Sequence, residues 1–278
     1  MKASCDLCGL VEARRIFVKD EAPFYACPSC GFRFSRPAVN PNYHEALGDY
    51  EESYLQYLED HPADELNYRA LLEWIRLSAG TAGGEILDVG CGSGKFVRYL
   101  RAQGVPAAGI EPAAALYGRY LAKEPWFRCL TSGALAATDA RRYATITLLD
   151  VIEHVESPSA VLSSVRDLLA PGGRIFLSTP DVGSAAARIA GKHWHFYNKY
   201  HLSYLSPRTL ETLGRRIGLR VVETAHLGKR FPAGYLLRYA RDFFLGRKNY
   251  AARRPSVLDR VSIPLNMFDI MYVCLETT

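Results

Sequence analysis

The run Glu85-Ile-Leu-Asp-Val-Gly-Cys-Gly-Ser-Gly94 constrains this chain more than any other stretch. Ile86, Leu87 and Val89 read as a short buried strand that feeds three glycines at alternate positions, Gly90, Gly92 and Gly94. Phe96, Val97, Tyr99 and Leu100 then recur at helical spacing. Strand, glycine turn and helix together let backbone approach a nucleotide-like ligand. A Cβ in the turn would occupy the ligand's space and resist positive φ values. The first N–H groups of the following helix point into the same space.

Two carboxylates sharpen this reading. Asp88 stands two residues before the first glycine, and a second strand, Ala107 to Ile110, ends in Glu111, 23 residues further on. A carboxylate at that tip accepts both hydroxyl hydrogens of a ribose, a role common to dinucleotide and S-adenosylmethionine (SAM) sites. A plain strand–turn–helix without a ligand is the alternative. The run Asp88-Val-Gly-Cys-Gly-Ser-Gly94, followed by Gly109-Ile-Glu-Pro112, resembles the first two motifs of class I SAM-dependent methyltransferases. A nicotinamide fingerprint would space its glycines Gly-x-Gly-x-x-Gly. The resemblance implies an α/β fold: a Rossmann-like, seven-stranded sheet with helices on both faces, the seventh strand antiparallel between the fifth and sixth. It also implies SAM held by Asp88, Gly90, Cys91, Gly92, Gly94, Glu111, Pro112, Thr131, Ser132, Leu149, Asp150 and Val151. Where the family usually shows an acidic residue after the third strand, this chain offers Thr131 and Ser132. Adenine recognition then falls to backbone or hydroxyl groups.

With 278 residues, 49% of them hydrophobic, the chain can build one α/β domain and a small appendage. The expected division is 1–40, a zinc ribbon; 41–80, a helical cover and linker; and 81–278, the SAM domain with a basic insertion at 231–264. No apolar run approaches the ~20 residues of a membrane span, and the start lacks the apolar core of a signal peptide. Both point to a cytoplasmic protein. The net charge of +5 hides an asymmetry: Pro41 to Glu73 carries nine acidic residues and one Arg, Arg188 to Arg260 sixteen basic and four acidic residues. Solvated faces, or two regions facing each other, account for this. An acidic or phosphorylated substrate near the basic half is the sharper reading.

Cys5-Asp-Leu-Cys8-Gly and Cys27-Pro-Ser-Cys30-Gly are separated by eighteen residues. Such paired knuckles predict structural zinc on Cys5, Cys8, Cys27 and Cys30, because four thiolates close the tetrahedron. Arg15 to Lys19 and Ala22 to Ala26 read as strands of a ribbon. With few basic residues between the knuckles, bracing or substrate capping is favoured over nucleic-acid binding. Pro37 to Pro41 reads as a linker. Tyr43 to Leu77 reads as mostly helical, interrupted at His61-Pro62, with Tyr50, Tyr54 and Tyr57 either lining the pocket or packing.

The fourth strand, Ala144 to Leu149, runs into Asp150-Val-Ile-Glu153-His154. The run resembles the motif after that strand in ubiquinone-biosynthesis-type O-methyltransferases, where acidic-x-x-Glu-His can hold a divalent ion. That implies Mg²⁺ at Asp150, Glu153 and His154, against simple lining of the pocket. Pro171-Gly-Gly173 reads as a sharp turn before the fifth strand. His193 to Tyr204 holds three histidines and five aromatic rings in twelve residues. It resembles a segment of methyltransferases from cell-surface polysaccharide and natural-product pathways. His154 is the expected general base, with His195 and His201 behind it; capping and core roles are the alternatives for His201, Ser203 and Trp194. A small-molecule acceptor is expected, a hydroxyl of a sugar, polysaccharide precursor or related metabolite. RNA methylation, sugar C-methylation and SAM binding without catalysis are the rival readings. The amphipathic run Tyr235, Leu236, Tyr239 and Phe243 suits packing on the domain, a partner or an anionic membrane surface. The oligomeric state stays open.

Overall fold

The structure, a computed structural model, describes residues 4–10, 12–36, 62–79, 84–138, 141–244 and 257–278. The expected linker at 37–41 and the tyrosines Tyr50, Tyr54 and Tyr57 lie outside the described residues, as does 245–256 of the basic insertion.

The order of elements begins with three strands, β1 (Arg14–Lys19), β2 (Ala22–Ala26) and β3 (Arg33–Ser35), then helix α1 (Pro62–Ala79). Next come β4 (Ile86–Val89), α2 (Lys95–Ala102), β5 (Ala107–Ile110), α3 (Ala114–Leu116), β6 (Phe127–Arg128), α4 (Ser132–Thr138), β7 (Tyr143–Leu149), α5 (Pro158–Arg166) and β8 (Leu169–Pro180). The chain continues through α6 (Ala185–Ala190), β9 (Ser203–Tyr204), α7 (Pro207–Arg216), β10 (Leu219–Ala225), β11 (Lys229–Pro232), α8 (Ala233–Phe244), β12 (Ser262–Leu265) and β13 (Ile270–Thr277).

Seven strands form one sheet in the order β10-β13-β8-β7-β4-β5-β6. The last strand, β13, inserts antiparallel between β8 and β10, while β7, β4, β5 and β6 run parallel. This is the topology expected for a class I methyltransferase. Alternation sends neighbouring side chains to opposite faces. Leu87, Ala108, Ile146, Ile175 and Leu177 join one core with Leu162, Val165, Leu210 and Leu213. Ile86, Ala107 and Phe176 join another with Trp74, Phe96, Val97 and Leu100. Because both faces are covered, every residue of β4 and of β5 is buried.

After Glu111, α3 is continued by a π-helical turn at Tyr117–Leu121. One element departs from the sequence expectation. Pro171-Gly-Gly173 is not a free turn but lies inside β8, where the pairing with β7 shifts register between Tyr143 and Thr145. Gly172 takes φ 72° there, and a Cβ on Gly173 would come within 2.9 Å of two carbonyl oxygens. An irregularity in the pairing, two residues of β7 against five of β8, absorbs the residues that local propensity assigns to a turn.

A second sheet, β1-β2-β3-β9, joins the N-terminal ribbon to a segment about 170 residues away in sequence. A hairpin, β11–β12, comes from the basic insertion. It meets α1, where the Asn67 amide brackets Arg230: its Nδ2 donates to the Arg230 carbonyl at 3.0 Å and its Oδ1 accepts from the Arg230 N–H at 2.7 Å. Part of the acidic stretch thus faces part of the basic one. Among the described residues no helix is long and apolar enough to cross a membrane.

Candidate active site

At the carboxyl ends of β4, β5 and β7 lies a cavity of about 900 Å³. Asp88 and Glu111 both line it. Gly90 and Gly92 take φ 73° and 56°, and the N–H groups of Gly90 and Cys91 both donate to the Ile110 carbonyl. The turn is therefore tied to β5 before α2 begins. Glu111 accepts from the Gly92 N–H and the Ala113 N–H, one per carboxylate oxygen, each at 2.9 Å. Each oxygen retains a second lone pair for a ribose hydroxyl. Burial raises the Glu111 pKa, opposed by those two N–H groups.

Asp88 is 4% exposed and accepts a 2.6 Å bond from the Thr147 hydroxyl. Burial, with the nearby Glu111 charge, pushes its carboxyl up to about 7 against the pull of Thr147. A carboxyl raised in this way stabilises the fold at low pH, and the contribution is lost as pH climbs through the folded-state value. Asp88→Asn keeps an oxygen for Thr147, so it is expected to lose less stability than the parent chain between about pH 5 and about pH 8. Urea midpoints at the two pH values measure this; equal slopes would refute it.

Of the residues expected to hold the cofactor, all but Gly94 line the cavity. Gly94 does not line it. It sits behind the wall with φ 78° at the start of α2, where a Cβ would approach Phe127 to 2.5 Å and Leu121 to 2.7 Å. Its smallness serves the packing of α2. Thr131 and Ser132 reach the cavity from the start of α4, where the Thr131 hydroxyl accepts from the Ala134 N–H at 3.2 Å.

The opposite wall is built by the turn after β7 and by residues 193–204. His154 Nδ1 lies 3.1 Å from the Tyr200 carbonyl. A carbonyl only accepts, so the neutral imidazole carries its hydrogen on Nδ1 and leaves Nε2 as the proton-accepting nitrogen. The His201 ring stands edge-on to His154, centroids 4.7 Å apart. Burial first, and His154 second, lower the His201 pKa well below the usual imidazole range, so it stays neutral. His195 is half-exposed at the cavity wall, its Nε2 3.9 Å from Asp269. All three expected histidines thus border one space. Trp194 does not; it is core, its indole donating to Asp269 at 3.2 Å.

With this geometry, the comparisons with known proteins agree. The family model for a methyltransferase domain matches residues 58–224. A ubiquinone biosynthesis O-methyltransferase of Nitrosococcus oceani is 30% identical over 200 residues, covering 66% of this chain and 83% of the relative. The chain belongs to the class I SAM-dependent methyltransferases. Among solved structures, magnesium protoporphyrin IX methyltransferase from Synechocystis PCC 6803, with bound S-adenosylhomocysteine (SAH), aligns with a TM-score of 0.54 at 14% identity, covering 85% of this chain and 97% of that one. A Burkholderia thailandensis 1,6-didemethyltoxoflavin-N1-methyltransferase aligns at 0.50 and 15%, covering 96% and 100%. At such identities the likeness is one of fold.

One feature of this methyltransferase departs from the expected Mg²⁺ set of Asp150, Glu153 and His154. Asp150, held at φ 54°, accepts from the Ser178 hydroxyl at 2.6 Å and from Lys229 Nζ at 3.0 Å. Burial works against its charge, but Lys229 and Ser178 hold its pKa below the ordinary value. The ammonium stands where a cation bound to Asp150 would stand. Glu153 is buried and accepts from Thr179 at 3.1 Å; burial and the Asp150 charge push it up to about 8. The donors that converge within 4.8 Å are Glu153, His154 and His201, without Asp150. Two imidazoles and one carboxylate do not fit Mg²⁺, which asks for oxygen ligands.

Sequence reasoning missed Lys229 as an Asp150 partner, and also Asn198, whose side-chain oxygen accepts from the N–H groups of Tyr200 and His201. Asn198 carried a signal, since a side chain that caps the N–H two residues on makes an Asx-turn. Lys229 carried none, because it arrives from β11, 79 residues away.

The four cysteines also converge. Cys5 Sγ lies 3.5 Å from Cys30 Sγ, and Cys8 Sγ 3.4 Å from Cys27 Sγ. Both knuckles repeat one geometry, with the Gly9 and Gly31 N–H groups donating to the Cys5 and Cys27 carbonyls. All four sulfurs lie within 4.8 Å of one another. Tetrahedral zinc with Zn–S about 2.3 Å sets sulfurs about 3.8 Å apart, so the set suits one such ion.

Proposed function

We propose that this enzyme is an O-methyltransferase that moves the SAM methyl group to a hydroxyl of a small ring-shaped metabolite, a sugar or polysaccharide precursor, with His154 as general base. The observation that carries this reading is the shared cavity. One wall is the glycine turn with Glu111, suited to the cofactor's ribose. The other presents His154 with its tautomer fixed by Tyr200.

SAM supplies an activated methyl group on a sulfonium, and its leaving group is neutral. The protein's part is to align the acceptor, exclude water and take up a proton. His154 Nε2 takes the hydroxyl proton as the new C–O bond forms. His201, neutral and edge-on, keeps the His154 ring from turning. Phe196, Tyr200, Phe231 and Tyr235 on the cavity wall provide faces for a ring. Among the described residues, the two lysines of that wall, Lys95 and Lys229, are each within 3.0 Å of a carboxylate. This favours an acceptor recognised by hydroxyls and ring faces over one recognised by phosphate. The relatives named for ubiquinone biosynthesis O-methylation support oxygen as the acceptor atom.

Zinc on Cys5, Cys8, Cys27 and Cys30 belongs to the same proposal, as a closed structural ion that braces residues 4–36. The test is a screen of nucleotide sugars, free sugars and hydroxylated aromatic rings with methyl-labelled SAM, read by mass spectrometry. A methyl ether on a sugar hydroxyl is the expected product. Transfer only to a nitrogen, to a carbon or to RNA would overturn the reading.

A further inference from the structure

We infer that the N-terminal ribbon is a positioning element of the acceptor half of the site: the ion held by its four cysteines orders residues 193–204, and through them His154, while the cofactor cradle stands apart. This inference rests on the zinc and general-base readings above.

The ribbon does not reach the cavity itself, since none of its described residues lines it. It meets residues 193–204 along a seam, and beyond them it reaches the segment after His154, where Asp6 accepts from Ser157 and Ser159. Strand β9 is the fourth strand of the ribbon sheet, with Arg33 opposite Tyr204 and Phe34 opposite Ser203. The Ser35 N–H donates to the Leu202 carbonyl at 2.9 Å, and Lys19 Nζ to the Trp194 carbonyl at 3.2 Å. Tyr197 is 1% exposed and closes the seam. Phe17 and Phe24 stand edge-on to it at 5.0 and 5.3 Å, and its hydroxyl accepts from Arg33 at 2.8 Å. Ala22 and Phe24 of the ribbon share one buried cluster with Trp194, Tyr197 and Tyr204 of the loop.

The other edge of the loop grips the catalytic turn. The Leu202 N–H donates to the Glu153 carbonyl at 2.7 Å, and the Tyr200 carbonyl fixes the His154 tautomer. The path from ribbon to base is therefore continuous. The hydrogen bonds of the cradle take another route, from Gly90, Cys91 and Gly92 to Ile110 and Glu111 on β4, β5 and their turns, although ribbon residues and Leu87 and Ile110 share one buried cluster.

Some thirty residues with three short strands cannot bury enough apolar surface to hold themselves together, so ion binding is ribbon folding. Loss of the ion then removes the cover of Tyr197 and the partner strand of β9. The loop loosens, while β4 and β5, covered on both faces by helices, keep the cradle.

The experiment compares the parent chain with Cys27→Ser, and with Arg33→Met and Arg33→Lys as variants that leave the cysteines intact. Zinc is counted by elemental analysis, SAH binding by calorimetry, local order by hydrogen exchange, and the His154 ring by NMR. Expected are a single zinc in the parent chain and none in Cys27→Ser. Exchange in 193–204 should rise about tenfold or more, with a shifted His154 ring signal, while exchange in 86–111 and SAH affinity change by less than about threefold. Arg33→Met should keep zinc and loosen the loop less, and Arg33→Lys, which still donates to Tyr197, should restore it. The inference falls if the loop stays protected without zinc, if SAH affinity collapses together with the loop, or if the parent chain holds no zinc. A parent chain that fails to bind SAH would instead sink the cofactor reading.

Discussion

Gly92→Val is expected to cut SAH affinity by more than about a hundredfold, equivalent to about 2.7 kcal/mol, while the protein stays folded. The reason lies in where the new atoms go. A Cβ at Gly92 meets no protein atom within 4 Å, and the residue lines the cavity, so the side chain would fill ligand space. Gly90 is a poorer target, because its Cβ would run into Val151 at 2.7 Å and disturb the fold as well. The backbone cost of a non-glycine residue at φ 56° is about 1–2 kcal/mol. That cost can be measured separately. Gly104 has φ 73°, is exposed, and also has open space at its Cβ, but lies at the end of α2 away from the cavity. Gly104→Val pays a similar backbone cost and should bind SAH like the parent chain. Equal SAH affinity in both variants would mean that the glycine turn does not cradle the cofactor. Calorimetry gives the affinities, and thermal melts show whether both variants fold.

The sequence made the cradle legible because its determinants are local. Asp88, three glycines and the helix after them fall within a dozen residues, and Glu111 follows at the tip of the adjacent strand. Likewise the strand order followed from the motif resemblance, down to the antiparallel insertion of β13. What the sequence did not disclose depends on distant pairing. Strand β9 is two residues long and exists because β3 lies beside it, which no periodicity reveals. The Pro171-Gly-Gly173 run has the local chemistry of a turn but is drawn into β8 by pairing with β7. Between Mg²⁺ and simple lining of the pocket, the Asp150 to His154 turn suits lining, because the ammonium that neutralises Asp150 comes from the hairpin over the cavity. His201 was read as one of three histidines in an aromatic run; its place edge-on to His154 follows from the loop's anchoring to Asn198 and Glu153.

His154→Ala is expected to lower turnover on the acceptor found in the screen by about a hundredfold to ten-thousandfold, the range for losing a positioned base. SAH affinity should change by less than about threefold, because the cradle bonds use no atom of this residue. The split between the two numbers is the diagnostic, since a packing defect at the cavity floor would weaken both. His154→Asn sharpens the test: its amide nitrogen stands where Nδ1 stood, so it can still bond the Tyr200 carbonyl and keep the loop in place, but it accepts no proton. It should therefore match His154→Ala in turnover while matching the parent chain in hydrogen exchange of 193–204. His201→Phe keeps an edge-on ring without a titratable nitrogen, and should cost about tenfold or less, as a residue that acts through its neighbour. If His201→Phe instead costs as much turnover as is expected of His154→Ala, and His154→Ala costs about tenfold or less, the roles of the two imidazoles are reversed, and His201, the more deeply buried ring, is the one that takes the proton.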